Sequence, residues 1–232
     1  MKKSVVVLQN PPEEKVKKKR IRDPQRTRAY ILEMALTEFA ERGYEGARID
    51  TIAGQSQTNK SLIYKYFESK EALYAACLEQ TYENMRASQH EIQLDEPDPI
   101  ESMRKLIEST FDTFVSNPRL VRILTHENVH HARFLKQAKN VKHLYTPLLE
   151  KMAYVLQKGQ QKGVFRAGVD LKNLYISISS LGYFYFSNIH TLSIVLEEDL
   201  LKKQNIRKQR KQAVEMVLAY LTVPDDLSAN HS

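Results

Sequence analysis

The sequence predicts an all-α fold, on three observations. Glycine and proline are scarce, with 7 Gly and 8 Pro in 232 residues, and the periodic segments are rich in strong helix formers such as Leu, Ala, Glu, Lys and Gln. Apolar residues recur at helical spacing in one segment after another, without a strand pattern or an internal repeat. Prolines follow Asp, Asn or Thr where new helices would begin. A chain of this length can bury a real core in one large or two modest domains.

Positive charge is concentrated at the N-terminus. Residues 1–28 hold 10 Lys or Arg against 3 acidic residues, an excess equal to the +7 of the whole chain, so residues 29–232 balance at 25 against 25. Residues 1–22 lack periodicity and carry P-P-E-E beside the basic run K-V-K-K-K-R-I-R, which predicts a disordered basic arm. Such an arm is typical of a protein that binds a polyanion, most often nucleic acid; a solvated tail is the alternative.

Two short helices follow a packing helix in the next segment. Asp23-Pro24 pairs an N-cap with a first-turn proline, apolar residues then repeat at helical spacing, and Gly43 closes the helix. A short helix over residues 48–55, a tight connection through 56–58 and a second short helix over 59–66 come next. This is the layout of a helix-turn-helix, whose second helix enters the major groove of DNA. An ordinary helical hairpin with an aromatic seam is the alternative.

The second short helix reads N-K-S-L-I-Y-K-Y-F and carries the candidate DNA contacts. Asn59, Lys60 and Ser61 stand at its N-terminal end, where side chains can reach base edges: Asn suits adenine, Lys suits guanine and Ser suits either. Tyr64 and Tyr66 can donate to phosphates, contacts that fix the register and supply salt-dependent affinity. Three apolar residues are spaced to pack inward, namely Leu62, Ile63 and Phe67.

Start and stop signals divide the rest of the chain into further helices. A long helix is predicted from Ser69 to about Ile92, and a last amphipathic helix over about Ile206–Leu221, before Pro224 and a polar tail. The signals between them are a start at Asp98-Pro99, a start at Asn117-Pro118, a start or kink at Pro147, a stop at Lys162-Gly163 and a cap at Asp170.

The segment Asn173–Leu196 contains no charged residue over 24 positions, which is long enough to span a bilayer. Its frequent Ser, Asn and Thr residues are a high polar load for lipid, and no second span accompanies it, so we predict no membrane insertion. A helix buried in a bundle core or across a subunit interface fits better, because such a helix is apolar on most of its circumference.

Within that segment, S-L-G-Y-F-Y-F-S-N-I-H concentrates aromatic residues with a few polar groups, as ligand pockets often do. The candidate pocket residues are Tyr183, Phe186, Asn188 and His190. Because neighbouring side chains on a helix cannot all face one way, some of this run must face the core or a partner subunit. Packing in the core and at a dimer interface is therefore an interpretation of equal standing.

The stretch T-H-E-N-V-H-H contains H-E-x-x-H, in which His126 and His130 share one helix face and could hold zinc while Glu127 acts as a general base. A third ligand is missing: H-x-x-G-x-x-H fails after His130, and a proline interrupts the pattern before Glu150. We therefore predict no metal, no cofactor and no enzyme, and keep His126 and His130 as pocket or helix-end residues. A zinc-dependent hydrolase, or a metal site that also uses His143, is the alternative.

The single cysteine, Cys77, excludes an intramolecular disulfide and fits a reducing, cytoplasmic setting. It lies in A-A-C-L, which predicts small-residue packing rather than redox sensing. The N-terminus has a basic opening but only four consecutive apolar residues and no small-residue cleavage site, so it is not expected to act as a secretory signal.

The run T-R-A-Y-I-L-E-M-A-L-T-E-F-A-E-R-G-Y-E-G-A-R-I-D-T-I-A, followed by S-L-I-Y-K-Y-F-E-S-K-E-A-L, resembles the DNA-binding domain of TetR-family transcriptional regulators over residues 27–73. The resemblance implies a homodimer that places one recognition helix of each subunit in the major groove of a palindromic DNA operator. A larger C-terminal helical domain would supply the dimer interface, through Asn173–Leu196 and Ile206–Leu221, and a pocket for a small-molecule effector. Effector binding would release the DNA, and repression is the usual outcome.

The resemblance also assigns roles by position. Arg48 would lie near a phosphate at the start of the first short helix, and Lys70 would meet a phosphate at the start of the long helix. That long helix joins the two domains and is the expected transmitter of the effector signal. The predicted organisation is a disordered basic arm (1–22), a helix-turn-helix domain (23–68), an effector-binding and dimerisation domain (69–223) and a disordered tail (224–232).

The turn departs from the family pattern. Where the family commonly has A-G-V, this chain has Ser56-Gln57-Thr58. Glycine accepts positive φ, whereas Gln there costs about 1 kcal/mol or more. The turn is therefore open to a different conformation, which would shift the base contacts from Asn59 onward but leave the fold prediction unchanged.

Overall fold

The computed structural model describes residues 23–90, 97–137 and 141–223, and these form the predicted all-α fold. The helices are α1 (Pro24–Gly46), α2 (Ile49–Gln55), α3 (Lys60–Phe67), α4 (Lys70–His90), α5 (Pro99–Ser116), α6 (Pro118–Val129), α7 (Val141–Gln161), α8 (Leu171–Ser187), α9 (Ile189–Val195) and α10 (Lys203–Leu221), with a short 3-10 helix at Leu135–Gln137. The predicted arm (1–22) and tail (224–232) lie outside the described residues, as does the predicted helix end near Ile92.

Helices α1, α2, α3 and the first half of α4 surround one hydrophobic core, called here the N-terminal core. Ile31 and Phe39 of α1, Ile52 of α2, Ile63 of α3 and Tyr74 of α4 are all fully buried in it. Each large apolar side chain removed from water contributes about 1.5–3 kcal/mol. The apolar spacing of α1 therefore serves the packing role that its periodicity predicts.

The ends of α1 follow from local sequence. The Asp23 carboxylate accepts a hydrogen bond from the Gln25 amide at 2.9 Å, with Pro24 in the first turn. Gly43 has φ 66°, outside helical geometry, and its carbonyl accepts a hydrogen bond from the Ala47 amide at 3.2 Å. The predicted cap and the predicted break at Gly43 are both confirmed, although one further turn continues to Gly46.

Helices α5, α7, α8 and α10 form a second core around residues such as Met103, Met152, Leu174 and Val217. Two predicted caps start helices of this bundle. The Asp98 carboxylate accepts from the Ile100 amide at 2.9 Å, and the Asp170 carboxylate accepts from the Asn173 amide at 2.8 Å. Because these contacts span two or three residues, they could be predicted without tertiary structure.

Pro147 does not start a helix. It lies inside α7, which begins at Val141. Proline inside a helix removes one backbone hydrogen bond and crowds the preceding turn. The interpretation of Pro147 as a helix start is therefore wrong, because burial of Leu148 and Met152 in the second core holds this turn in the helix despite the proline.

The uncharged segment Asn173–Leu196 divides into two helices, α8 and α9, at Asn188. Leu174, Ile178 and Tyr185 turn one face of α8 into the interior, while Phe184 stays exposed. None of the helices in the described ranges is both long enough and apolar enough to cross a membrane. Packing of α8 against its neighbouring helices explains the low charge of this segment.

Cys77 lies on α4 in the middle of the N-terminal core. It is fully buried, and its Sγ lies 3.8 Å from the Leu32 carbonyl oxygen. Burial raises the pKa of the thiol well above its usual range, so the reactive thiolate is disfavoured. This environment fits the predicted packing role.

Candidate DNA-binding site

The turn between α2 and α3 is fixed by short-range hydrogen bonds. Ser56 is buried, and its hydroxyl contacts the Ile52 carbonyl at 2.6 Å and the Thr58 hydroxyl at 2.8 Å. Gln57 adopts φ 51°, the left-handed conformation that suits glycine. The turn thus tolerates the strain at Gln57, and Ser56 and Thr58 supply side-chain bonds that hold it.

Helix α3 presents a polar N-terminal face and buries an apolar one. Ile63 and Phe67 are buried in the N-terminal core. Lys60, Ser61 and Tyr64 are exposed, Tyr64 to 42 %. Because Ile63 and Phe67 anchor α3, its exposed side chains project from a rigid support, as a reading helix requires.

Asn59 is the N-cap of α3. Its Oδ1 accepts a hydrogen bond from the Leu62 amide at 2.8 Å. Recognition of adenine by Asn uses both the amide oxygen and the amide nitrogen. In this geometry Oδ1 already accepts one hydrogen bond and keeps one lone pair for a second; the predicted base contact stays a prediction.

Lys60 is paired across the turn. Its Nζ lies 2.7 Å from Asp50 Oδ1 on α2, and both side chains are more than half exposed. An exposed ion pair of this kind contributes little to stability. It does hold the ammonium group at the N-terminal end of α3, and no local sequence pattern links two residues that lie on different helices.

The remaining predicted phosphate contacts surround α3. Arg48 is the exposed N-cap residue of α2, and its backbone amide donates to Glu38 at 3.1 Å. Tyr66 is half-buried against the N-terminal core. Lys70 lies with its ammonium 4.8 Å from the centre of the Tyr44 ring. Sequence reasoning missed a further cation: Arg28, exposed, stacks over Phe67 at 4.8 Å, at the other end of α3.

Comparison with known proteins decides the family. A family model described as bacterial regulatory proteins, tetR family, matches residues 31–77, and one described as tetracyclin repressor-like, C-terminal domain, matches residues 99–217. The chain belongs to the TetR family. It is therefore a DNA-binding transcriptional regulator with a helix-turn-helix at its N-terminus, and TetR-family regulators bind DNA as dimers and respond to small-molecule effectors.

Similar proteins cover most of this TetR-family chain. The transcriptional repressor NicS of Pseudomonas putida is 36 % identical over 185 residues, which are 80 % of this chain and 87 % of NicS. The transcriptional repressor SCO4008 of Streptomyces coelicolor is 35 % identical over 66 % of this chain and 74 % of its own. Among solved structures, SCO4942 of Streptomyces coelicolor has TM-score 0.64 at 25 % identity, covering 85 % of this chain and 99 % of its own. KstR2 of Mycobacterium tuberculosis, at 21 % identity, TM-score 0.62 and coverage of 85 % and 95 %, shares the fold.

The H-E-x-x-H residues do not assemble a metal site in the described part of the chain, where no group of three or more His, Cys, Asp or Glu could hold an ion. Glu127 is buried, and one of its oxygens accepts the Phe134 amide at 3.2 Å. His130 caps the end of α6, and the His126 ring lies against Gly43 of α1. The side chain of His143 lies outside the described residues.

The candidate effector residues separate into two groups. Tyr183 and Phe186 pack in a set called here the α6–α8 cluster, which comprises Tyr82, Met85, Phe114, Leu120, Val121, Leu124, Leu135, Tyr183 and Phe186. The Tyr183 hydroxyl lies 3.0 Å from the Thr125 hydroxyl of α6. In contrast, the Asn188 side-chain amide lies at the end of α8 and donates a hydrogen bond to the Phe184 carbonyl at 3.0 Å. His190 is exposed on α9.

Proposed function

We propose that this regulator is a repressor that binds a palindromic operator as a homodimer and leaves it when a small molecule binds. The observation that carries the proposal is the exposed N-terminal face of α3, seated on the N-terminal core in a chain of the TetR family. Repression is supported by NicS and SCO4008, both of which are named as repressors. A regulator that acts on the bacterial chromosome works in the cytoplasm, which is where we place it.

Contacts to DNA are proposed in two classes. Lys60 and Ser61 would reach base edges in the major groove, since their donors are exposed at the start of α3. Tyr64, Arg48 and Lys70 would hold phosphates, which fix the register without reading sequence. Asn59 and Tyr66 are assigned to the same surface. Their side chains have less freedom to move, because Asn59 caps α3 and Tyr66 is half-buried.

The domain boundary is proposed to lie further along α4 than residue 68. Tyr74, Cys77 and Leu78 of α4 belong to the N-terminal core together with α1, α2 and α3. A DNA-binding unit cut at residue 68 would lose these contacts. We therefore assign residues 23–78 to it and the remaining helices to effector binding and dimerisation.

The α6–α8 cluster is the proposed effector site. Its aromatic rings and the two facing hydroxyls of Thr125 and Tyr183 suit a mostly apolar molecule with one or two polar groups. An effector releases the operator only to the extent that it prefers the subunit arrangement that does not fit DNA. Recognition helices that no longer match major grooves about 34–36 Å apart would lose the operator.

A binding titration tests the proposal. Purified protein is titrated with DNA flanking its own gene across a salt series, with scrambled DNA of equal length as the comparison. We expect tight, selective binding to the flanking DNA that weakens steeply with salt, because each phosphate contact adds about 0.9 to the slope of log affinity against log salt. Equal binding to both DNAs would contradict operator recognition.

Lys60→Ala identifies the reading surface in the same titration. We expect a loss of about 1–3 kcal/mol in binding to the preferred DNA, and a smaller loss on scrambled DNA. Lys208→Ala removes the same charge from an exposed position on α10 and serves as the matched control, for which we expect unchanged affinity. Equal effects of the two substitutions would place the reading surface elsewhere.

A further inference from the structure

Phe134 crosses from one part of the molecule to the other. It follows α6 and so belongs by chain position to the C-terminal helices, yet its side chain lies in the N-terminal core and is only 1 % exposed. Its ring centre is 4.2 Å from that of Tyr44 and 4.9 Å from that of Tyr74. The next residue, Leu135, packs against both the N-terminal core and the α6–α8 cluster. The two residues therefore join the two halves.

Glu127 holds this insertion in place. Its Oε1 accepts a hydrogen bond from the Phe134 amide at 3.2 Å, and its Oε2 is buried without a hydrogen-bond partner among the described residues. A buried carboxylate with one unsatisfied oxygen costs free energy, so the surrounding contacts must offset this cost for the arrangement to persist. Removing the acceptor would leave the Phe134 amide without this bond, and replacing Glu by Gln would retain it.

The turn between Glu127 and Phe134 is strained as well. His131 and Ala132 both have φ 55°, two successive left-handed residues that carry side chains. The Ala132 amide donates to the Glu127 carbonyl at 2.9 Å. Backbone strain of this kind persists only where surrounding contacts over-determine it, and it is common at switch segments.

Helix α6 touches both halves along its length. Arg119 at its start contacts Glu33 and Thr37 of α1, and Ile123 lies in the N-terminal core. Its other face belongs to the α6–α8 cluster, where Thr125 meets Tyr183 of α8. Near its end the His126 ring lies 3.0 Å from the position that a Cβ on Gly43 would take. Because α6 contacts both α8 and α1, a shift of α6 relative to α8 also shifts α6 relative to α1.

We propose that residues 119–135 form a latch between the two domains, in which Glu127 is the positioning residue that keeps Phe134 in the N-terminal core. Rearrangement of the α6–α8 cluster is transmitted through this latch to α1 and the recognition helix. The H-E-x-x-H stretch then has a mechanical role: His126 contacts α1 and Glu127 fixes the turn. The regulatory part of this inference rests on the proposed function, whereas the coupling of the domains does not.

Calorimetry without DNA tests the coupling. Wild-type protein is expected to unfold in one transition, because the latch ties the domains together. Phe134→Leu and Glu127→Ala are expected to split it into two, with the N-terminal domain melting first, while Glu127→Gln keeps one transition. Phe165→Leu removes similar volume from the second core and should lower a single transition without splitting it.

Either of two calorimetric results would overturn the latch. One is two transitions in the wild type, and the other is a single lowered transition in both Phe134→Leu and Glu127→Ala. If Phe134→Leu does not fold, Glu127→Ala carries the test, since it leaves the aromatic ring in place. These readouts need no DNA, so they stand even if operator binding fails.

Hydrogen exchange with and without the preferred DNA tests the regulatory part. Coupling between sites is reciprocal, so operator binding should slow exchange in α8 around Tyr183 in the wild type. We expect this protection at α8 to be lost in Glu127→Ala and kept in Glu127→Gln, with protection of α3 present in both. Equal protection of α8 in all three proteins would overturn transmission through the latch.

Discussion

At the scale of single residues, Gln57 carries the strain of the DNA-reading turn. Its left-handed backbone costs a residue with a side chain about 1–2 kcal/mol relative to glycine. We expect Gln57→Gly to raise the free energy of unfolding by up to about 1 kcal/mol, since added chain entropy in the unfolded state offsets part of the gain. Chemical denaturation measures the change.

The control for that prediction is Gln55→Gly, two residues earlier at the last residue of α2. Glycine in helical conformation lowers stability by up to about 1 kcal/mol relative to a good helix former. Opposite signs for the two substitutions support strain at Gln57. A loss of stability in both would show that the Gln57 side chain compensates for its backbone.

Glu127 gives the stability of the protein a pH dependence. Burial raises the pKa of this carboxyl above its ordinary range, and the hydrogen bond from the Phe134 amide opposes the rise in part. A raised pKa in the folded state favours folding below the ordinary glutamate pKa of about 4.3. That contribution is lost as pH rises through the raised pKa.

Glu127→Gln is therefore expected to match or exceed the wild-type melting temperature at about pH 8, with a gap that closes toward about pH 4. The amide oxygen of Gln keeps the acceptor for Phe134, and the buried charge is gone. Glu41→Gln makes the same charge change on the exposed surface of α1 and corrects for net charge. A gap that widened on acidification would be the opposite of this expectation.

At the scale of elements, α5 and α8 approach each other at Gly182. A Cβ at this position would lie 2.7 Å from the Phe114 ring and 3.6 Å from the Phe111 Cα. We expect Gly182→Ala to lower the free energy of unfolding by about 1–3 kcal/mol, because the buried Phe114 ring must move. Urea denaturation followed by circular dichroism provides the measurement.

Gly54 offers the matched comparison, because a Cβ there would meet nothing within 4 Å. Gly54 lies inside α2, so Gly54→Ala should stabilise by up to about 1 kcal/mol through helix propensity alone. If both alanine variants were stabilised, the close packing of α5 on α8 would not be what requires glycine at position 182.

At the scale of the whole molecule, an exposed apolar stripe on α8 and α10 is the proposed dimer interface. Ile176 and Phe184 of α8 are 57 % and 58 % exposed, and Met216 and Tyr220 of α10 are half exposed. Large apolar side chains grouped on a surface are typical of subunit contacts. A dimer also gives the two recognition helices the symmetry that a palindrome requires.

Phe184→Glu is expected to convert the dimer to monomer and to weaken operator binding sharply, because it places charge in the proposed interface. Sedimentation equilibrium measures the mass, and circular dichroism checks that the helices remain. Tyr154→Glu introduces the same charge at a comparably exposed position on α7 and should leave the dimer intact. A dimeric Phe184→Glu protein would move the interface to another face.

The sequence by itself determined the features that depend on short separations along the chain. The caps at Asp23, Asp98 and Asp170 satisfy amides two or three residues away, so residue type and spacing were sufficient. The helical periodicity likewise identified the buried face of α1. The family pattern over residues 27–73 identified the reading helix for the same reason, since it lies in one continuous stretch.

Only the tertiary structure decided the features that depend on contacts between distant segments. Lys60 meets Asp50 across the turn, Pro147 stays inside α7, and Tyr183 separates from His190 although both lie in one aromatic run. The H-E-x-x-H stretch is the plainest example. Its residue types suggest zinc, but the partners that fix the role of Glu127 are the Phe134 amide and a core built largely from α1 and α4. Burial, not spacing, decided what that carboxylate does.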